Sequence, residues 1–142
     1  MEKSIILCGI QLLVLMSFCC STDAQCPLTG RWRNDLQSNM TISQVDENGF
    51  FTGTYYTSVS LTNKTILESP LIGFQQLRDQ PTFAFSVKWK FSVSMTSFVG
   101  QYYKDPQGQE LLVTMWLLRE EAEYKYNWAA TRVGINTFYR IQ

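Results

Sequence analysis

The 142-residue chain contains no histidine, and this removes the commonest general base and the commonest metal ligand. Cysteine is nearly as scarce in the part expected to fold. Of Cys8, Cys19, Cys20 and Cys26, only the last lies beyond a leader-like N-terminus, so no disulfide can form within the remaining chain. Net charge is missing too, with twelve Lys and Arg against twelve Asp and Glu. A neutral chain has no general attraction for phosphate backbones or anionic membranes. Finally, no segment keeps an apolar 3.6-residue period long enough to define a helix.

The leader itself is legible. Lys3 precedes an apolar stretch from Ile5 to Phe18, and Thr22 and Ala24 are the small residues expected before a cleavage point. Residues 1–24 therefore read as a secretory signal peptide and residues 25–142 as one ligand-binding domain, located outside the cell. Losing Glu2, Lys3 and Asp23 leaves eleven basic residues against ten acidic ones. No later stretch is apolar enough to span a bilayer. Asn39-Met40-Thr41 and Asn63-Lys64-Thr65 are N-glycosylation sequons, which fit a secreted glycoprotein.

Period-two alternation is abundant. Phe83, Phe85, Val87 and Trp89 alternate with Thr82, Ser86 and Lys88, and Phe91, Val93 and Met95 with Ser92, Ser94 and Thr96. Val133, Ile135 and Thr137 alternate with Arg132, Gly134 and Asn136. These are half-buried strands rich in aromatic and β-branched residues. Asp46-Glu47-Asn48-Gly49 and Asp105-Pro106-Gln107-Gly108 read as tight turns, and Arg78-Asp79-Gln80-Pro81 as a weaker one. Between Leu111 and Leu118 the apolar residues are almost continuous, as in a strand covered on both faces. One barrel has water outside, so the outer cover would be a second subunit, the alternative being an aggregation-prone strand on a monomer. Many short antiparallel strands mean a sandwich or a closed barrel, and eight strands leave room for one small ligand.

Chemistry gathers around tryptophan. Trp32, Trp89, Trp116 and Trp128 sit among Asn34, Ser38, Ser92, Ser94, Thr96, Thr114, Thr131 and Asn136. Stiff indole walls with neutral hydroxyl and amide donors suit a small, uncharged, polar-headed ligand. Each of these residues also has a plainer use: the indoles as core, Asn34 and Ser38 as backbone partners at a strand break, and Tyr55 as a core aromatic. No nucleophile–base pair is apparent, and the carboxylates fall in turns and loops, so no enzyme is expected. A lipocalin-like carrier of greasy ligands is the alternative, and it would need an almost wholly apolar lining.

The block Leu28-Thr29-Gly30-Arg31-Trp32-Arg33-Asn34-Asp35-Leu36, followed by Ser38-Asn39-Met40-Thr41-Ile42, resembles the avidin family. The likeness continues through Phe51-Thr52-Gly53-Thr54-Tyr55, Gln80-Pro81-Thr82-Phe83 and Trp89-Lys90-Phe91-Ser92. It ends with Thr114-Met115-Trp116-Leu117-Leu118-Arg119 and Ala130-Thr131-Arg132-Val133-Gly134-Ile135-Asn136. The resemblance implies an all-β, eight-stranded antiparallel up-and-down barrel, secreted as a homotetramer, with biotin as ligand, no further cofactor and no catalysis.

It also implies roles. Asn34, Ser38 and Tyr55 match donors to the ureido oxygen, and Thr57 and Asn136 match partners of the two ureido N–H groups. Thr96 matches the hydroxyl near the ring sulfur, and Trp89, Phe91, Phe98, Trp116 and Leu118 match the walls. Ser60, Leu61, Thr62, Ser92 and Ser94 match groups that receive the carboxylate. Trp128 matches an indole contributed to a neighbouring subunit's site. Asn39 matches a glycosylated position, whereas Asn63 has no such counterpart. Asp35 lies next to the ureido donors, where it either orients Asn34 or Asn136 or serves as a turn residue. The family's cysteine partner for Cys26 falls at Tyr102, so Cys26 is left either free or bridged to another chain.

Overall fold

The computed structural model describes residues 27–60 and 62–142; the proposed leader, Cys26 and Leu61 lie outside the described residues. Eight antiparallel strands follow one another round a closed barrel: β1 (Gly30–Asn34), β2 (Asn39–Ile42), β3 (Phe50–Tyr56), β4 (Ser69–Gln75), β5 (Thr82–Lys88), β6 (Ser94–Lys104), β7 (Glu110–Glu120) and β8 (Thr131–Ile141). Each strand pairs with the next in sequence, and β8 closes on β1 through Arg31 opposite Ile141 and Asn34 opposite Phe138. Closure removes the free edges that an open sheet would expose.

The turns form where the sequence places them. Asp46 Oδ1 accepts from the backbone N–H groups of Asn48 and Phe50 at 2.9 and 2.8 Å, and Gly49 takes φ +83°. Asp105 repeats the device with Gln107 and Gln109 at 2.9 and 2.8 Å, and Gly108 also sits at φ +83°. In both, a carboxylate replaces the backbone partners that the reversal removes, and a residue without Cβ accepts the positive φ.

The inward face is not everywhere the apolar one. On β6, Thr96 points into the barrel while Met95 is 45% exposed, and Val93 just before the strand is 68% exposed. On β8, Asn136 points in, and Val133 and Ile135 are 66% and 70% exposed. Alternation finds β5 and β8, but Trp89 and residues 91–93 lie in the β5–β6 connection, and it does not tell which face is inside, because this half of the barrel interior is polar. β7 shows the same division: Leu112 and Thr114 are buried, while Val113, Met115 and Leu117 are exposed in the single chain. The run is therefore not covered on both faces by this chain.

The core is aromatic and occupies the end opposite the cavity. Trp32, Phe51, Leu112 and Phe138 are all at most 1% exposed. Phe83 stacks on Phe85 (6.2 Å between centroids), Phe85 on Phe98 (4.6 Å) and Phe98 on Tyr55 (5.7 Å), so a continuous ladder of rings leads from the packed end to the open one.

The packed end is sealed by Arg140. Its guanidinium lies 4.2 Å from the Trp32 ring centroid, donates to Glu110 Oε2 and Oε1 at 2.5 and 3.0 Å, and donates to the carbonyl oxygens of Thr29 (2.8 Å) and Pro27. Tyr102 stands where the resemblance would put a cysteine, and its hydroxyl donates to Glu110 Oε1 at 2.9 Å. Side-chain polarity thus ties the segment just after Cys26 to β6, β7 and β8. Desolvation works against ionisation of Glu110, but hydrogen bonds from Arg140 and Tyr102, with the charges of Arg140 and Lys104, hold it below the usual carboxylate range. Burial, then the hydrogen bond to Glu110, pushes the Tyr102 hydroxyl up to about 12.

Candidate functional site

At the other end the barrel holds a cavity of about 250 Å³. Asn34, Ser38, Tyr55, Thr57, Ser60, Thr62, Trp89, Phe91, Ser92, Ser94, Thr96, Phe98, Trp116, Leu118 and Asn136 all line it.

The deepest polar group is built at the break between β1 and β2. Asn34 Oδ1 accepts from the N–H groups of Leu36 and Ser38 at 3.0 and 2.8 Å, and Gln37 takes φ +68° in the tight connection. With its oxygen committed to the backbone, the amide must present Nδ2 to the other side, where it donates to the Tyr55 hydroxyl at 3.2 Å. Ser38 Oγ accepts from the Ser58 N–H at 3.0 Å and lies 3.4 Å from Thr57 Oγ1. Thr57 in turn donates to the Val59 carbonyl at 2.9 Å. Asn34, Ser38 and Tyr55 are each at most 3% exposed. Burial raises the Tyr55 pKa above the ordinary tyrosine value; the Ser38 hydrogen bond opposes that and the Asp35 charge adds to it. The phenol therefore remains a neutral donor across the working pH range.

A second polar group lies beside it on β8, the strand paired with β1. Asn136 Nδ2 donates to Asp35 Oδ1 at 2.7 Å, and its Oδ1 accepts from the Trp116 indole N–H at 2.9 Å. Asp35 is thereby placed as the orienting partner of Asn136. The amide orientation is fixed from behind, and one lone pair of Oδ1 is left toward the cavity. Trp89 is held in the same way, donating to Thr96 Oγ1 at 2.8 Å. Gly134 makes room for the Trp116 wall, since a Cβ there would fall 2.2 Å from the indole ring. The polar residues anchor the walls as well as facing the interior.

Hydroxyls surround the mouth. Ser92 and Ser94 Oγ lie 2.5 Å apart, and Ser60 Oγ lies 3.2 Å from Thr62 Oγ1. Leu36, Val59, Glu120 and Arg132 also line the cavity and were not singled out from the sequence. Leu36 and Val59 are isolated apolar residues in connections, where no period marks them. Glu120 and Arg132 end adjacent strands, and only the strand register brings their opposite charges together. Trp128 is absent from the lining. It belongs to the short 3-10 helix Tyr124–Ala129 and is 83% exposed. Among the described residues no cluster of His, Cys, Asp and Glu has metal-binding geometry.

Comparison with known proteins agrees with this architecture. Residues 22–141 match the profile of the Avidin family. The chain is 54% identical to the avidin of Gallus gallus over 122 residues, covering 83% of this chain and 80% of that protein. It is 51% identical over 119 residues to avidin-related protein 4/5 of Gallus gallus, covering 82% and 79%. Among solved structures it is similar to xenavidin, with a TM-score of 0.80 and 54% identity over 82% of this chain and 99% of that one. A biotin binding protein from chicken superposes with a TM-score of 0.79 and 53% identity over 82% and 99%. The closed eight-stranded barrel, the cavity at its open end and the match along nearly the whole domain lead to one conclusion: the chain belongs to the avidin family.

Proposed function

We propose that the open end of the barrel binds biotin, one molecule per chain, and that the protein is a secreted, non-catalytic sequestrant of this vitamin. The observation that carries the reading is the convergence of Asn34, Ser38 and Tyr55, three buried neutral groups at one end of a cavity walled by Trp89, Phe91, Phe98 and Trp116. Three donors aimed at one carbonyl oxygen match a ureido group, which carries its polarity without net charge, and such bonds strengthen one another in a dry site. Thr57 and Asn136 would accept from the two ureido N–H groups, Thr96 would lie by the sulfur, and Leu118 would pack along the tail. Ser60, Thr62, Ser92 and Ser94, with the backbone at Leu61, would receive the carboxylate. A wholly apolar ligand would leave the buried donors unpaired, at about 1–3 kcal/mol each, which argues against the greasy-carrier alternative.

We further infer a homotetramer in which Trp128 closes a neighbour's site. The support is a wide outer face of β6, β7 and β8 bearing Val99, Val113, Met115, Leu117, Val133 and Ile135, all exposed in the single chain. An apolar surface of that kind on a secreted protein calls for a partner, and a second copy of this chain offers the same strands in return. Trp128 is exposed and absent from the lining of its own cavity, as an indole serving another subunit would be. Both sequons are open to glycosylation in this reading. Asn63 is exposed beside the mouth residue Thr62, whereas Asn39 lies in β2 with its Oδ1 accepting from Arg33 Nε at 2.9 Å.

Titration calorimetry with biotin, paired with light scattering, tests both parts. Wild type should bind one biotin per chain as a tetramer. Trp128→Ala should weaken binding by roughly 3–5 kcal/mol if the indole is buried on the ligand, and should loosen the assembly. A tight-binding wild-type monomer would contradict the shared lid, and absence of binding heat would contradict the biotin reading.

A further inference from the structure

Residues 121–129, between β7 and β8, are all exposed, and the Tyr124 side chain among them is 95% exposed. The segment is pinned near its two ends. The Glu121 N–H donates to the Val93 carbonyl at 2.9 Å, the Glu120 N–H donates to the Ala130 carbonyl at 2.9 Å, and Arg119 Nη2 donates to Asn127 Oδ1 at 2.6 Å. Between these pins the chain turns on the Tyr126 N–H donating to the Glu123 carbonyl at 2.9 Å, a 3-10 bond at the helix start that costs little to open. Tyr124 therefore stands at a loop tip, where an enzyme acting on the folded chain gains access. Its hydroxyl has no hydrogen-bond partner among the described residues.

The chain before this phenol is acidic: Glu120, Glu121, Ala122 and Glu123 lead directly into it. Glu120 is paired with Arg132, which leaves Glu121 and Glu123 as the free acidic flank. Glu123 and Lys125 lie 3.1 Å apart, but their side chains are 73% and 65% exposed, so this pair is weak. The other open tyrosines lack the setting. Tyr56, Tyr103 and Tyr139 lie in strands, with no carboxylate in the four preceding positions. Tyr126 carries the Lys125 ammonium 4.8 Å from its ring centroid. An enzyme that transfers a sulfuryl group from a phosphorylated nucleotide holds that anionic donor in a cationic cleft. A phenol on an acidic tip is drawn to such a cleft, and one lying under an ammonium is not.

We propose that Tyr124 is a tyrosine O-sulfation site, modified as the chain passes along the secretory route; the inference rests on the reading of the protein as secreted. The phenol oxygen attacks the sulfur of an adenylyl sulfate donor. The bond from that sulfur to the nucleotide's phosphate oxygen breaks, and the phenolic proton passes to a base of the transferase. The products are a tyrosine sulfate ester and the phosphorylated nucleotide, and the loop gains a fixed negative charge beside Glu121 and Glu123.

Two arms test it. In the first, unmodified protein made in bacteria is incubated with a tyrosylprotein sulfotransferase and an adenylyl sulfate donor carrying radioactive sulfur. Wild type and Tyr126→Phe should take up label, and Tyr124→Phe should not. The double variant Glu121→Gln, Glu123→Gln should take it up several-fold more slowly. Tyr124→Phe keeps the ring at an exposed position, so its melting temperature should match wild type and loss of label reports the hydroxyl alone. In the second arm, wild type and Tyr124→Phe are expressed in cultured animal cells fed radioactive sulfate, and N-linked glycans, which can carry sulfate themselves, are removed. Label on secreted wild type that resists phosphatase and vanishes in Tyr124→Phe supports the proposal. No transfer to wild type in the first arm, equal transfer to Tyr124→Phe, or secreted wild type that carries no label or a phosphatase-sensitive ester at Tyr124 would each overturn it. Transfer in the first arm with chains retained inside the cell in the second would instead overturn the secretory reading, a result distinct from all of these.

Discussion

The two ends of this barrel are made from the same strands but solve opposite problems. At the packed end Trp32, Phe51, Leu112 and Phe138 fill the interior, and Arg140 seals it with hydrogen bonds directed at the chain itself. At the open end Asn34, Ser38, Thr96 and Asn136 are buried almost as deeply, yet none is a packing residue by chemistry. Each is satisfied from behind: Asn34 by backbone N–H groups, Asn136 by Asp35 and Trp116, Thr96 by Trp89. Buried polar groups are tolerated when they are bonded, and bonding from the rear leaves a fixed front for a ligand. One end therefore supplies stability and the other supplies recognition.

That division predicts separable mutational effects. The largest should come from Trp32→Ala. Its fully buried indole donates to the Leu28 carbonyl at 2.8 Å and underlies Arg140, so its loss should cost roughly 3–5 kcal/mol of folding stability in denaturant titrations. Any chains still folded should bind ligand much as wild type does.

Tyr55→Phe and Ser38→Ala should invert that pattern, weakening biotin binding by roughly 1–3 kcal/mol each while moving the fold less. Ser60→Ala should cost less than either, because an exposed mouth hydroxyl can be replaced by water. Equal losses at Ser60 and Tyr55 in calorimetry would erase the proposed distinction between head and mouth.

The smallest effect concerns pH. Glu110 has a folded pKa below its unfolded value, so its contribution is present above the ordinary carboxylate range and is lost as pH falls through the lowered value. Glu110→Gln should flatten the acid limb of a stability–pH curve. Tyr102, pushed up to about 12, acts at the other extreme: its contribution is complete below pH 10 and is lost as pH rises towards 12. Tyr102→Phe should flatten that alkaline limb and, by removing one of the hydrogen bonds that lower Glu110, soften the acid limb in part.

Much of this contrast was legible in the sequence, but unevenly. The Asp–Gly turns and the period-two strands could be read because their causes are local. Alternation alone does not give the inward face: at Met95/Thr96 and Ile135/Asn136 the apolar member of each pair faces out, since the open end reserves its interior for polar groups and the outer face is itself apolar. Thr96 and Asn136 are marked instead by their place among the tryptophans and by the family resemblance. The 3-10 helix at Tyr124–Ala129 lacks any apolar period. It is held instead by non-local bonds, such as Arg119 Nη2 donating to Asn127 Oδ1 at 2.6 Å. For the cavity, the residues matched through the family resemblance fall together in space, apart from Trp128, which is absent from the lining, and Leu61, which lies outside the described residues. Asn34 shows why the plain and functional readings need not compete: its oxygen serves the backbone, and that service is what aims its nitrogen. Glu120 and Arg132 needed the register of β7 against β8 to be seen as neighbours.

Thermal unfolding with and without biotin addresses the central claim, that the open end is a preformed ligand site on a barrel held by its packed end. Were the affinity to approach the tightest non-covalent class, about 10 µM free biotin would add on the order of 10 kcal/mol of apparent stability. The account predicts a large rise in melting temperature for wild type and a smaller one for Tyr55→Phe. A melting temperature unmoved by excess biotin would contradict it.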